Sequence, residues 1–74
     1  MDVYQATSFV NTRCKYLKEG STAPAQDAAE IFGFIKGLDA SEAYTSEDTY
    51  KILKILTRAV IDLLQKEDSK HEQR

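Results

Sequence analysis

The segment that decides the fold is YKILKILTRAVIDLL, residues 50–64. Stepping around a helix at about 100° per residue places Lys51, Lys54, Arg58 and Asp62 in one polar stripe roughly 80° wide. Apolar residues fill most of the remaining circumference, an arc of roughly 240°. A helix on one side of a bundle needs an apolar stripe only a little wider than about 100°, so this helix is expected to have neighbours on more than one side.

Glycine, serine and proline punctuate the chain at two places, residues 20–24 and 37–41, and divide it into three segments. Apolar side chains in the first segment recur at alternating spacings of four and three residues, which is the period of a helix. We therefore predict a first helix over residues 3–18 that stops at Gly20.

The other two segments carry their own signals for helix ends. Pro24 suits a first helical turn, because the amide hydrogen that it lacks would be unpaired there. Gly37 suits a C-terminal cap, so the second helix is predicted over residues 24–37. The hydroxyl residues 45–46, followed by two acids, resemble a capping box and predict a third and longest helix over residues 47–66.

Length and composition fit one small all-α domain. The chain has 74 residues, of which 42% are hydrophobic and 30% charged, a composition typical of a globular protein. The three predicted helices make residues 1–66 a single helical domain. Residues 67–74 contain no apolar side chain and are expected to form a polar, frayed C-terminal tail.

The apolar surface is wider than one three-helix interior can cover. The second helix is also apolar over roughly half of its circumference, and three short helices share only one interior. A symmetric homodimer would cover the excess with one self-complementary patch. The alternative is a monomer with ordinary scattered surface hydrophobes. The predicted interface residues are Phe32, Gly33, Phe34, Ile52, Ile55, Ala59 and Ile61.

Gly33 lies inside the second predicted helix, where glycine costs about 1 kcal/mol relative to alanine. One interpretation is that two helices approach closely at this position in an interface. The other is that the glycine is simply exposed and harmless. The sequence leaves both interpretations open.

The sequence offers little for catalysis or cofactor binding. Its one histidine, His71, lies in the polar tail, and its one cysteine, Cys14, lies at a core position of the first helix. Neither a metal-ligand set nor a glycine-rich phosphate loop is present. We therefore predict no enzyme activity, no cofactor and no small-molecule substrate.

The single cysteine also bears on the compartment. It cannot form an internal disulfide, which favours a reducing, cytoplasmic location. The sequence contains neither a signal-peptide pattern nor a run of about 18 apolar residues, so no membrane association is expected.

These observations favour a non-catalytic protein-binding module, a regulator, inhibitor or adaptor, whose partners are a second copy of itself and another protein. The alternative is a nucleic-acid-associated regulator that uses the basic stripe Lys51, Lys54 and Arg58, which could follow a phosphate backbone. A solvated charged face explains the same stripe. A carrier protein or a small enzyme subunit is a third class, although Ala40 separates Ser41 from the acid that a carrier motif would place directly before it.

Overall fold

The computed structural model describes the backbone of residues 2–72 and the side chains of residues 2–66. Three helices follow one another along the chain: α1 (Val3–Glu19), α2 (Pro24–Ala40) and α3 (Ser46–Glu72). No strand occurs within residues 2–72. The predicted all-α, three-helix fold is confirmed.

Both ends of α1 are set by local hydrogen bonds. The Asp2 carboxylate accepts a hydrogen bond from the Gln5 backbone N–H at 2.8 Å, and the Gln5 side chain accepts one from the Asp2 N–H at 2.9 Å. This reciprocal capping box satisfies two amides that the helix itself leaves unpaired. At the other end, the N–H of Gly20 donates to the Tyr16 carbonyl at 2.8 Å, so the predicted stop at Gly20 is confirmed.

The predicted end of the second helix at Gly37 is wrong, because α2 continues for three more residues to Ala40. Ser41 provides the C-terminal cap instead: its hydroxyl donates to the Leu38 carbonyl at 2.8 Å. The chain then reverses at Glu42, which has a φ of 63°. This left-handed conformation, usually taken by glycine, costs a non-glycine residue about 1–2 kcal/mol.

The third helix begins where its caps predict and ends later than expected. The Asp48 N–H donates to the Thr45 hydroxyl oxygen at 3.0 Å, which caps α3. The helix runs to Glu72 rather than to residue 66, and residues 67–72 contain neither glycine nor proline, the two residues that disfavour a helix most. The predicted fraying of residues 67–74 stays a prediction, because their side chains and the backbone of residues 73–74 lie outside the described residues.

One row of side chains from each helix forms the core. The loops between the helices are short, so consecutive helices are antiparallel neighbours, and α3 contacts both α1 and α2. At 1.5 Å per residue, α3 is about 40 Å long while α1 and α2 are each about 25 Å long. The end of α3 therefore projects beyond the bundle. The buried apolar residues are Ala6, Val10, Cys14 and Leu17 of α1, Ile31 and Ile35 of α2, and Ile52, Leu56 and Ala59 of α3.

Gly37→Ala tests the position of the α2 end. Gly37 lies inside the helix and an added Cβ would meet no atom within 4 Å, so alanine is expected to stabilise the fold by about 1 kcal/mol. For a domain of this size that raises Tm by roughly 4–8 °C, measured by circular dichroism. Gly20→Ala, outside a helix, is the control and should change Tm less. A lower Tm for Gly37→Ala would contradict the observed helix end.

Candidate interaction surfaces

The seven predicted interface residues do not lie together. Ile52 and Ala59 are buried in the core of the single chain, and Ile55 is half-buried. Phe34 packs against Phe9 of α1, with ring centroids 4.7 Å apart. The remaining three, Phe32, Gly33 and Ile61, are exposed.

Helix geometry explains this dispersion. Ile52 and Ile61 are nine residues apart, which at 100° per residue puts them on opposite sides of α3. Phe32 and Phe34 are separated by about 200° around α2. A wide apolar arc therefore includes both the side that faces the core and the side that faces away from it.

A continuous apolar surface covers the outer side of α3 and the adjoining edge of α2. Four of its five large side chains are substantially exposed: Phe32 at 46%, Tyr50 at 61%, Ile61 at 42% and Leu64 at 56%. Leu53 is half-buried between them. We call these five residues the apolar face.

Two shallow grooves run through the apolar face. One, of about 390 Å³, lies between α2 and α3 with Phe32, Tyr50 and Leu53 in its walls. The other, of about 540 Å³, continues along α3 past Tyr50 and Leu53 to Thr57 and Ile61. Because the two grooves share Tyr50 and Leu53, they form one surface.

Polar contacts fix the apolar face at the end where α3 begins. The hydroxyl of buried Thr49 lies 3.2 Å from an Asp39 carboxylate oxygen and so links the end of α2 to the start of α3. The Lys54 ammonium lies 5.7 Å from the centre of the Tyr50 ring, within the range of a cation–π contact. The Tyr50 side chain is thus held beside the groove.

Gly33 lies next to Phe32 on the outer side of α2. A Cβ added at Gly33 would meet no atom within 4 Å, so nothing in the single chain requires a glycine there. The glycine makes the outer side of α2 flat beside the apolar face. Both interpretations of the residue, a harmless exposed glycine and a close approach by another helix, fit this finding.

A second surface lies on the opposite flank of α3, where α1 and α3 enclose a groove of about 700 Å³. Its rims carry four cationic side chains, and its floor is formed by a thiol and two aliphatic side chains. We call it the basic groove. The rim cations are Lys15 and Lys18 of α1 and Lys54 and Arg58 of α3, and the floor residues are Cys14, Ile55 and Ala59.

The basic groove differs from the basic stripe predicted from α3 alone. Lys51 does not line it and instead forms an exposed ion pair with Glu47, at 3.5 Å one helical turn away. Sequence analysis missed Lys15 and Lys18, which only the packing of α1 against α3 brings to the same groove as Lys54. Their spacing of three residues, which places both on one side of α1, was the available signal.

Cys14 lies at the floor of the basic groove and is buried. Burial raises the pKa of its thiol, because the charged thiolate is poorly solvated there. The nearby Lys18 ammonium opposes this shift only in part. The thiol is therefore neutral near pH 7, which does not suit a nucleophile.

The described part of the chain contains neither a metal-ligand group nor a membrane-spanning helix. Among its side chains, no group of three or more His, Cys, Asp or Glu is placed to hold a metal ion. None of its helices has the length and apolar character needed to cross a bilayer.

The structure thus defines a small, all-α, three-helix domain with an apolar face and a basic groove. Comparison of the chain with models of known protein families, with curated proteins and with solved structures finds no match. The two surfaces themselves are therefore the basis for a functional proposal.

A pair of identical substitutions tests which side of α3 faces the core. Ile52 is 1% exposed, so Ile52→Ala is expected to lower the free energy of unfolding by about 2–5 kcal/mol. Ile61→Ala, at a partly exposed position, should cost less than about 1 kcal/mol at concentrations low enough to keep the chain monomeric. Urea unfolding measures both. Equal losses would mean that the observed orientation of α3 is incorrect.

Proposed function

We propose that this protein is a non-catalytic protein-binding module that works as a homodimer, with two copies paired through their apolar faces. Its role would be that of a small cytoplasmic regulator, inhibitor or adaptor. The observation that carries this proposal is the apolar face itself, an array of large side chains that the three helices leave uncovered. Exposed contiguous apolar surface of this kind is typical of interaction sites.

The spacing of the apolar face favours a second copy as the occupant. On α3, Tyr50 and Leu53 lie seven and four residues before Thr57, while Ile61 and Leu64 lie four and seven residues after it. The pattern is therefore symmetric about Thr57. In an antiparallel pair of α3 helices, Tyr50 would face Leu64 of the other copy and Leu53 would face Ile61.

Two-fold symmetry extends this argument to α2. A two-fold axis that passes midway between the two Thr57 residues, perpendicular to the plane of the two α3 helices, places both copies of α2 on the same side of that plane. Phe32 would then add to the apolar contact beside α3. Gly33, which meets no neighbour within its own chain, would allow a close approach of the second α2.

Electrostatics do not oppose such a pair. The chain carries a net charge of only -2, so two copies repel each other weakly. None of the large side chains of the apolar face is charged. The charged side chains that line its two grooves, Lys36, Asp39, Lys54 and Arg58, are all exposed, so their charged ends can stay hydrated at the edge of a pair. Pairing would therefore bury apolar surface with little cost from desolvated charge.

A charge placed on the apolar face tests the proposal. Light scattering after size exclusion should give the wild-type chain twice its mass of 8.4 kDa over a concentration series. Tyr50→Glu should return it to the single mass, because pairing would bury a carboxylate against leucine. Tyr50 is exposed, so the variant should stay folded, and circular dichroism checks this.

The matched control is Tyr4→Glu, the same substitution at a residue of α1 that is 88% exposed and lies away from the apolar face. It should leave the doubled mass unchanged. A wild-type mass of 8.4 kDa at every concentration would refute the homodimer, and so would a Tyr50→Glu variant that still pairs.

A further inference from the structure

We propose that the basic groove binds an acidic, amphipathic helical segment of another protein. In this arrangement the segment lies between α1 and α3, with aliphatic side chains on the groove floor and carboxylates against the cations of both rims. The floor and the α1 rim of the site lie outside the apolar face, and its α3 rim, Lys54 and Arg58, borders that face. The proposal does not depend on the homodimer.

The spacing within the groove fits a helical ligand. Ile55 and Ala59 lie one turn apart on the floor, about 6 Å along α3, which matches the distance between aliphatic side chains at positions i and i+4 of a bound helix. The rim cations repeat at one-turn spacing as well: Lys15 and Lys18 on one side, Lys54 and Arg58 on the other. Acids that flank the aliphatic stripe would reach both rims.

Charge complementarity sets the chemistry of the partner. Four cations and a single carboxylate, that of Glu19, line the groove, although the whole chain is acidic. Among the described side chains, the one ion pair joins Lys51 to Glu47, so no rim cation lies within 4 Å of a described carboxylate oxygen. An acidic partner would supply the missing counter-charges and gain in association rate from them.

The floor of the groove favours a protein over a nucleic acid. None of the described side chains that line the groove is aromatic, so these side chains offer bases no ring on which to stack. The buried floor offers aliphatic contact that a phosphate backbone cannot use. Four cations also give a duplex fewer phosphate contacts than the roughly six to ten that make DNA binding strongly dependent on salt.

The test uses the whole chain and a labelled peptide of about 15 residues, in which leucines at alternating spacings of three and four are flanked by glutamates. Fluorescence anisotropy measures its binding at about 50 and 200 mM salt, and a labelled DNA duplex is titrated in parallel. The wild-type chain should bind the peptide, more weakly at the higher salt, and should bind it more tightly than the duplex.

The test variant is Lys15→Glu/Lys18→Glu, which reverses the α1 rim without touching the apolar face. It should weaken peptide binding at least about tenfold, which corresponds to the loss of two ion pairs with the peptide. The control, Lys51→Glu/Lys66→Glu, makes the same change in net charge outside the groove and should alter binding less than about threefold. Lys15→Gln/Lys18→Gln serves as the rim variant if the charge reversal disturbs folding.

Three results would overturn the inference: no peptide binding by the wild-type chain, equal losses in the rim and control variants, or tighter binding of the duplex. The mass of the rim variant is measured alongside. Lys15 and Lys18 lie outside the apolar face. If the chain does not bind the peptide, its doubled mass is therefore unaffected, and if the chain is a monomer, it should still bind the peptide.

Discussion

The rest of this structure depends on the insertion of one narrow row of α3 side chains, Ile52, Leu56 and Ala59, between α1 and α2. The row packs against the buried side chains of both other helices, so the three helices share one interior. The row occupies a small sector of the α3 surface. Every other apolar side chain of α3 must then lie at the border of the core or outside it.

The two outer surfaces follow from that constraint. On one flank of α3, the side chains beyond the core row meet the edge of α2 and form the apolar face. On the other flank, α1 approaches and brings its two lysines, Lys15 and Lys18, opposite Lys54 and Arg58. Lys54 lines both the basic groove and the surface beside Tyr50, so the two surfaces meet along one edge of α3.

Local signals were sufficient to predict where the helices lie, because caps and helical periodicity act within a few residues. Thr45 caps the start of α3 and Gly20 caps the end of α1, as their chemistry predicts. Gly37 did not, because a serine hydroxyl four residues later completes the cap and Glu42 accepts the left-handed turn in place of glycine. A competition between two adjacent stop signals is decided by packing, which a single sequence does not reveal.

The surfaces were harder to predict than the helices. A helical wheel shows the width of the apolar arc on α3 but not which part of it faces α1 and α2, so Ile52 and Ile61 were assigned to one interface although they lie on opposite sides. In the same way, Lys51 was grouped with Lys54 by spacing alone. The true neighbours of Lys54 across the groove, Lys15 and Lys18, are distant in sequence.

The most direct test of the account is disulfide cross-linking through α3, in a Cys14→Ala background shown by circular dichroism to be folded. In an antiparallel pair centred on Thr57, the two Thr57→Cys positions fall within the Cα distance of about 7 Å that a disulfide requires. The two Leu64→Cys positions would be roughly 20 Å apart. Rapid cross-linking of the Thr57→Cys variant alone is the predicted result. Cross-linking of neither variant, or of both equally, would contradict it.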